Sequence, residues 1–182
     1  MSLASLFRRN RHRDAALQIY EAVVERAREP IFFTDFGVPD TIDGRFELTA
    51  LHGFLVLNRL KVDHSRTVDL AQELFDAMFV DFDRSLREMG VGDLGVGRQI
   101  KTMAKAIYGR IGAYERGLKA DEAAQLDEAL RRNLYGTATP AAGDVEAMAD
   151  YLRACAAILA AQPTAELIAG SVAFAALPGA AR

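Results

Sequence analysis

Cysteine is nearly missing from this sequence, and long apolar runs and a basic surplus are missing altogether. The chain of 182 residues has one cysteine, so no disulfide can form within it. No stretch reaches the roughly 18 consecutive apolar residues that span a bilayer. The net charge of −3 argues against binding of DNA, for which a domain usually carries excess positive charge. With 51% apolar and 26% charged residues, the composition is that of a globular domain.

Motifs that carry catalysis are also missing. Residues 90–95 match a Gly-x-Gly-x-x-Gly string, but the phosphate-binding form of this motif follows a strand, and a helical pattern precedes it here. The three histidines form no Glu-x-x-His pair of the kind that holds metals in helical bundles. No serine or cysteine lies in a nucleophile motif. We therefore predict a protein that is not an enzyme and that binds no metal or cofactor.

Positive charge is concentrated at the beginning of the chain. Residues 1–13 contain four arginines and no acid, and because the whole chain carries −3, residues 14–182 carry −7. This division predicts a basic N-terminal arm (1–13) that stays on the protein, in front of a helical domain (14–182). Such an arm can rest on an anionic membrane surface, bind ribosomal RNA or act as a solubilising tail. Its arginines are Arg8, Arg9, Arg11 and Arg13.

The hydrophobic pattern of the body is helical. Apolar residues recur at helical spacing, and no β-alternating run of useful length and no internal repeat occur. We predict an all-α fold, a single compact bundle of about seven helices with a long ordered loop near residues 31–45. The predicted helices cover about residues 14–29, 46–60, 67–89, 97–118, 121–134, 144–161 and 165–175.

Several helical segments indicate which side chains are buried. The segment 46–60 is apolar over much of its circumference, which is typical of a buried helix. We expect His52 within it to be a core histidine with a hydrogen-bond partner, and Cys155 to be a small buried hydrophobe. In segment 97–118, the residues predicted to point inward are Ile100, Met103, Ala104, Ile107, Tyr108, Ile111 and Tyr114.

Four blocks within residues 15–118 resemble the ubiquinol–cytochrome c chaperone family, and they occur in the family's order. The third block is the most specific, whereas residues 120–182 carry no comparable match. The blocks are residues 38–46 (Val-Pro-Asp-Thr-Ile-Asp-Gly-Arg-Phe), Leu51-His52 with 55–61 (Leu-Val-Leu-Asn-Arg-Leu-Lys), 74–93 (Leu-Phe-Asp-Ala-Met-Phe-Val-Asp-Phe-Asp-Arg-Ser-Leu-Arg-Glu-Met-Gly-Val-Gly-Asp), and Lys101-Thr-Met103 through Tyr108-Gly-Arg110 to Ala113-Tyr114.

The resemblance implies an assembly chaperone without enzymatic activity, which binds newly made cytochrome b and aids biogenesis of the cytochrome bc1 complex. The chain resembles a bacterial-type member, which would lie in the cytoplasm, with a peripheral position on the inner membrane left open. A eukaryotic member would lie in the mitochondrial matrix. Mitochondrial members work near the ribosome exit with a small partner protein, and transfer of either feature to this chain is open. An alternative is a helical module that binds lipid, quinone or haem, with His52 as the plausible internal axial ligand.

A chaperone for a membrane protein needs an exposed apolar surface that shields its client, and a helix in a groove is the obvious docking mode. Aromatic residues and adaptable methionines are the natural candidates for that surface. For each of them, ordinary core packing is the competing interpretation. The predicted client-binding residues are Phe32, Phe33, Phe36, Phe75, Met78, Phe79, Phe82 and Met89.

The same blocks contain many polar residues. We predict that segments 31–46 and 76–93 meet in space, so that Arg45, Arg87 and Arg110 pair with acids of these segments. Such a cluster either sets the shape of the loop or forms the rim of a client groove. The predicted cluster comprises Asp40, Asp43, Arg45, His52, Asp76, Asp81, Asp83, Arg87, Glu88, Asp93 and Arg110.

Overall fold

Eight helices build the described part of the chain. A computed structural model describes residues 3–120, 122–136 and 138–178, and for residues 3–9 it describes the backbone alone. No strand occurs within these residues, and the predicted all-α class is confirmed. The helices are α1 (Leu3–Ala27), α2 (Ile31–Thr34), α3 (Ile42–Val62), α4 (His64–Glu88), α5 (Asp93–Lys119), α6 (Ala123–Asn133), α7 (Ala142–Ala161) and α8 (Thr164–Ile168).

Helix α1 differs from its prediction at its start. It begins at Leu3, so the basic residues 3–13 continue the helix instead of preceding it. Arg11 and Arg13 are exposed, whereas the side chains of Arg8 and Arg9 lie outside the described part. No break in the helix marks the predicted boundary between the arm and the body. The division into these two parts therefore remains a prediction.

The predicted loop near residues 31–45 is shorter than expected. Helix α2 occupies its beginning and α3 starts at Ile42, which leaves residues 35–41 as the connection. Burial of Phe32 fixes α2 against the core, and this short helix accounts for the count of eight instead of seven. The last predicted helix is also shorter, since α8 ends at Ile168 and residues 171–177 are not helical.

Helix α3 lies between two hydrophobic clusters. One cluster joins it to α2, α6 and α7, and the other joins it to α1, α4 and the middle of α5. Residues on one side of α3 belong to the first cluster and residues on the other side to the second: Leu48, Leu51, Phe54 and Leu55 against Ala50, Val56 and Leu60. The prediction that an apolar circumference means a buried helix is confirmed. Among the described residues, no helix is both long and apolar enough to cross a membrane.

His52 and Cys155 are buried in the first cluster, as predicted. The Nδ1–H of His52 donates to the Leu48 carbonyl over 2.8 Å, and the hydroxyl of Tyr151 donates to its Nε2 over 3.0 Å. Burial lowers the pKa of His52 to about 4, and Arg26 lowers it further while the bond to Leu48 opposes the change. The ring is therefore neutral at physiological pH, with both nitrogens hydrogen-bonded.

Close packing of α5 on α6 gives a first prediction. A Cβ added to buried Gly117 would lie 2.8 Å from the Cα of Leu126, so the α6 backbone would have to move. We expect Gly117→Ala to lower the free energy of unfolding by about 1–3 kcal/mol. Gly109 of the same helix has nothing within 4 Å of its added Cβ, so Gly109→Ala should raise stability by about 0.5–1 kcal/mol. Urea unfolding measures both variants. If Gly117→Ala and Gly109→Ala changed the free energy of unfolding equally, the close packing of α5 on α6 would be contradicted.

Candidate functional site

An open groove of about 1100 Å³ lies at the start of α3. We call it the α3–α5 groove. Its main lining segments are residues 41–47 (the cap and first turns of α3), 81–91 (the end of α4 and the residues after it), 98–110 of α5, and 132–136 (the end of α6 and the residues after it). Segments 31–46 and 76–93 thus meet, as predicted. The rings of Phe46 and Phe82, one from each segment, are 4.8 Å apart between centroids.

The turn before α3 sets one wall of the groove. Thr41 caps α3, since its hydroxyl accepts a hydrogen bond from the backbone N–H of Gly44 over 3.1 Å. Any Cβ at Gly44 would clash with the carbonyl oxygen of Pro39, so only glycine allows the chain to turn this tightly. The turn leaves Ile42 on the groove wall with 65% of its surface exposed.

Arg45 holds the same turn from outside. Its guanidinium bonds to the carboxylate of Asp40 over 2.7 Å and lies 5.2 Å above the ring of Phe33. Both partners of the ion pair are exposed, so the pair contributes little stability by itself. Its geometry instead connects the loop to the first turn of α3.

The groove combines apolar walls with a charged rim. Met89 is 46% exposed, and Phe46 and Met103 are half-buried beside it. Five arginines and four acids also line the groove: Arg28, Arg45, Arg98, Arg110, Arg132, Asp43, Glu47, Asp81 and Glu88.

The central charge pair of the groove joins Arg110 to Glu47. The Nε of Arg110 donates to Glu47 over 2.6 Å, and its Nη2 bonds to the second carboxylate oxygen. Glu47 is buried, and this burial raises the pKa of its carboxyl, while Arg110 acts to lower it. Arg110 was predicted to pair with acids of the loop or of α4, and this prediction is wrong. Sequence reasoning did not single out Glu47. The signal that could have revealed it is an acidic residue within the apolar run at the start of α3.

The predicted client-binding residues lie in three places. Met89 lines the groove and is exposed, and Phe82 lines the groove but is buried. Phe32, Phe36 and Met78 are buried in the core. The remaining three are half-buried. Phe33 lies under Arg45, and Phe75 and Phe79 stack on each other with ring centroids 4.7 Å apart.

The predicted polar cluster is divided in the same way. Asp40, Asp43, Arg45, Asp81, Glu88 and Arg110 lie on the groove or at its turn. Arg87 pairs with Asp83 and Asp93 at the connection of α4 to α5. Asp76 accepts a hydrogen bond from Gln72 on the surface, and His52 lies in the core and outside the cluster.

Sequence reasoning missed several groove residues. Arg28 and Arg98 have no ion-pair partner among the described residues. Arg28 directly follows α1 and Arg98 lies on α5, so only the tertiary packing brings both to the groove. The segment 132–136 covers the end of α6 and the residues after it, in the half of the chain with no recognised motif. Tyr135 of this segment bonds to the Phe36 carbonyl over 2.8 Å and so holds the loop against the tail half.

The structure is an all-helical bundle with an open groove, whose apolar walls and charged rim suit an amphipathic segment. The profile of the family described as ubiquinol-cytochrome C chaperone matches residues 34–174, more than half of the chain. The chain belongs to this ubiquinol–cytochrome c chaperone family. The resemblance drawn from residues 15–118 is thereby confirmed, and the match extends into the half of the chain where no motif was recognised.

Three relatives place the chain within the family. The crystal structure of the Cbp3 homolog from Brucella abortus is 37% identical with a TM-score of 0.84, covering 96% of this chain and 97% of that one. The ubiquinol-cytochrome-c reductase complex assembly factor 1 proteins of Xenopus laevis and Homo sapiens are each 27% identical over 76% of this chain. These matches cover 69% of the frog protein and 46% of the human one, so the chain spans about half to two thirds of these relatives.

Proposed function

We propose that this chain is an assembly chaperone of the cytochrome bc1 complex and that newly made cytochrome b is its client. The observation that carries the proposal is the α3–α5 groove, an open apolar groove with a charged rim in a member of this family. The frog and human relatives are assembly factors of the ubiquinol–cytochrome c reductase complex, which supports the same complex for this chain.

The groove residues suggest how a client helix is held. Met89 and Met103 present flexible, polarizable side chains to the helix, which lets one groove accept several apolar sequences. Phe82 lies beneath them in contact with Phe46. Phe32, Phe36 and Met78, which are buried, act through the shape of the bundle instead of by contact.

The charged rim of the groove orients the client helix. Arg28 and Arg98 face the groove without an ion-pair partner among the described residues. They are free to bind carboxylates or the carbonyl end of a client helix, where negative charge is concentrated. A transmembrane helix held by its apolar face, with one end against these arginines, would be shielded from water until it meets its partner subunits.

Site-specific photocrosslinking in cells tests the proposal. Ile42 and Val62 are both exposed, at 65% and 77%, and lie at opposite ends of α3, about 30 Å apart. A crosslinker at Ile42 or Met89 should capture cytochrome b, whereas one at Val62 should not. Because Ile42 and Val62 are both β-branched and solvent-exposed, they form a matched pair.

Two results would contradict the proposal. One is equal capture of cytochrome b from Ile42 and Val62, which would mean contact without a groove. The other is no capture from Ile42 or Met89 together with normal bc1 levels in a deletion strain. Loss of bc1 in that strain, with capture from the groove alone, would support it.

The alternative of a haem module loses its candidate ligand in this fold. Both nitrogens of His52 are hydrogen-bonded inside the core, to Leu48 and Tyr151. Ligation of iron would break one of these bonds and would need a haem-sized space beside a fully buried ring. We therefore propose protein binding as the function of the groove.

A further inference from the structure

Helix α5 carries a second surface, which shares Arg98 with the groove side of the helix. Leu94, Arg98, Lys101, Lys105 and Tyr108 are all exposed. Their spacing of four, three, four and three residues places them on one stripe of the helix, about 21 Å long. We call these five residues the α5 stripe. Between residues 94 and 114 there are four cations and no acid, in a chain whose net charge is −3.

The charges of the α5 stripe are unused within the fold. Arg98, Lys101 and Lys105 have no ion-pair partner among the described residues, although most other arginines and lysines of α3, α4 and α5 do. The acid that precedes Leu94 in the chain, Asp93, is already paired with Arg87. Three adjacent cations therefore face solvent together.

The two ends of the stripe are apolar. Leu94 is 95% exposed and Tyr108 is 62% exposed, although Tyr108 was predicted to point inward. The ring of Tyr108 lies 5.5 Å from Phe75, which stacks on Phe79. The tyrosine is thus held in place by packing on one side while its other side remains in water.

We propose that the α5 stripe docks the protein on the surface of an anionic lipid bilayer. The three cations meet lipid phosphates, while Leu94 and Tyr108 enter the interfacial layer at either end. Each cation near such a surface adds about 1 kcal/mol of attraction, and a tyrosine ring suits the interface because it is apolar with a polar tip. Helices with basic and apolar side chains on one exposed face bind membranes in this way.

A bilayer fits the stripe better than RNA does. Nucleic acid would use the cations and stack on Tyr108, but it offers no apolar phase for an almost fully exposed leucine. The negative net charge of the chain also opposes long-range attraction to any polyanion. Local cations combined with insertion of apolar side chains overcome that repulsion, and an anionic bilayer supplies both contacts.

Docking by this stripe would place the groove beside the membrane. Arg98 belongs to both surfaces, and the next residues of α5, Gln99 and Thr102, line the groove. If the groove receives a cytochrome b segment, as proposed above, its opening lies next to the bilayer from which that segment comes. This consequence rests on the proposed function, whereas docking itself does not.

Co-sedimentation of the full chain with vesicles tests the docking. The protein should bind vesicles of phosphatidylcholine mixed with phosphatidylglycerol and should not bind phosphatidylcholine alone. Replacing all three cations (Arg98→Gln, Lys101→Gln, Lys105→Gln) should weaken binding on the order of 100-fold, at about fivefold for each charge. The control Lys61→Gln, Arg66→Gln, Arg131→Gln removes the same charge from exposed residues elsewhere and should weaken binding far less.

A fluorescent probe locates the contact. Because Cys155 is buried, Leu94→Cys and Val62→Cys each provide one accessible thiol for an environment-sensitive dye. Anionic vesicles should shift the emission of the dye at position 94 to the blue and leave that at position 62 unchanged.

Three results would overturn the proposal. The first is an equal loss of vesicle binding in the stripe variant and the control variant, and the second is an equal shift of dye emission at positions 94 and 62. The third is that the protein binds RNA but not vesicles. Loss on replacing Arg11 and Arg13 with no loss in the stripe variant would also overturn it, since α1 would then be the anchor. Crosslinking from Ile42 is measured separately, so failure of vesicle binding leaves the client proposal standing, and the reverse is equally true.

Discussion

Arg110→Met should lower the free energy of unfolding by about 3 kcal/mol, because it leaves the buried carboxylate of Glu47 without its partner. This is the lower end of the range for a broken buried pair, since the side chain of Arg110 keeps 22% of its surface exposed. The matched control is Arg45→Met, which breaks an exposed pair with Asp40 and should cost less than about 1 kcal/mol. Urea unfolding of both variants at neutral pH measures the difference.

The loss in Arg110→Met should shrink as the pH falls. Burial raises the pKa of Glu47 and Arg110 lowers it, so removing the arginine raises this pKa further. A carboxyl whose pKa is higher in the folded state holds its proton more tightly there, and stability therefore rises on acidification from that raised pKa towards about 4.3, the ordinary value for glutamate. A pH-independent difference between Arg110→Met and the native protein would contradict a buried charged Glu47.

The double variant Glu47→Met, Arg110→Met separates architecture from recognition. Replacing both members of a buried pair with apolar residues is often neutral or stabilising, so we expect stability within about 1 kcal/mol of the native protein. If the pair only shapes the groove, capture of cytochrome b from Ile42 should persist in this variant. If Arg110 contacts the client, capture should fall although the fold is intact. A double variant as unstable as Arg110→Met would mean that the pair is not the source of the loss.

The sequence predicts the central parts of this fold well because their signals are local. The apolar circumference of α3 requires burial on both sides, and Phe46 with Phe82 lies where segments 31–46 and 76–93 were expected to meet. The start of α1 was missed because its arginines favour helix as a residue type but show no apolar stripe. Boundaries marked only by capping or composition are weaker signals than periodicity.

The candidate site was predicted only in part, since its composition depends on long-range packing. Glu47 and Arg110 are 63 residues apart, and no local pattern pairs them. Aromatic residues at helical spacing do not reveal whether they face the core, which is why Phe32 is buried while Tyr108 is exposed. The groove wall from residues 132–136 comes from a segment without a motif, and only the folded chain brings it to α3.

His52 should make the protein lose about 3 kcal/mol of stability between pH 6.5 and pH 4. Its pKa is about 4 in the fold, against an ordinary value near 6.5. Within that window the unfolded chain binds a proton on this ring and the folded chain does not, so acidification favours unfolding. Glu47, whose pKa is raised by burial, acts in the opposite direction as the pH falls, and the contribution of His52 must therefore be isolated by substitution.

The double variant His52→Phe, Tyr151→Phe isolates the contribution of His52 to the pH dependence of stability. Replacing His52 alone would leave the buried hydroxyl of Tyr151 without its acceptor, at a cost of about 1–3 kcal/mol, whereas the double variant removes both polar groups. The rings of Phe32 and Phe174 already pack edge-on against His52 at 5.3 Å, so an added phenyl ring meets aromatic neighbours. We expect the stability of the double variant to fall less than that of the native protein between pH 6.5 and pH 4. His64→Gln, at an exposed histidine, should leave the native slope unchanged, and a native slope in the double variant would show that the ring of His52 is protonated within the fold.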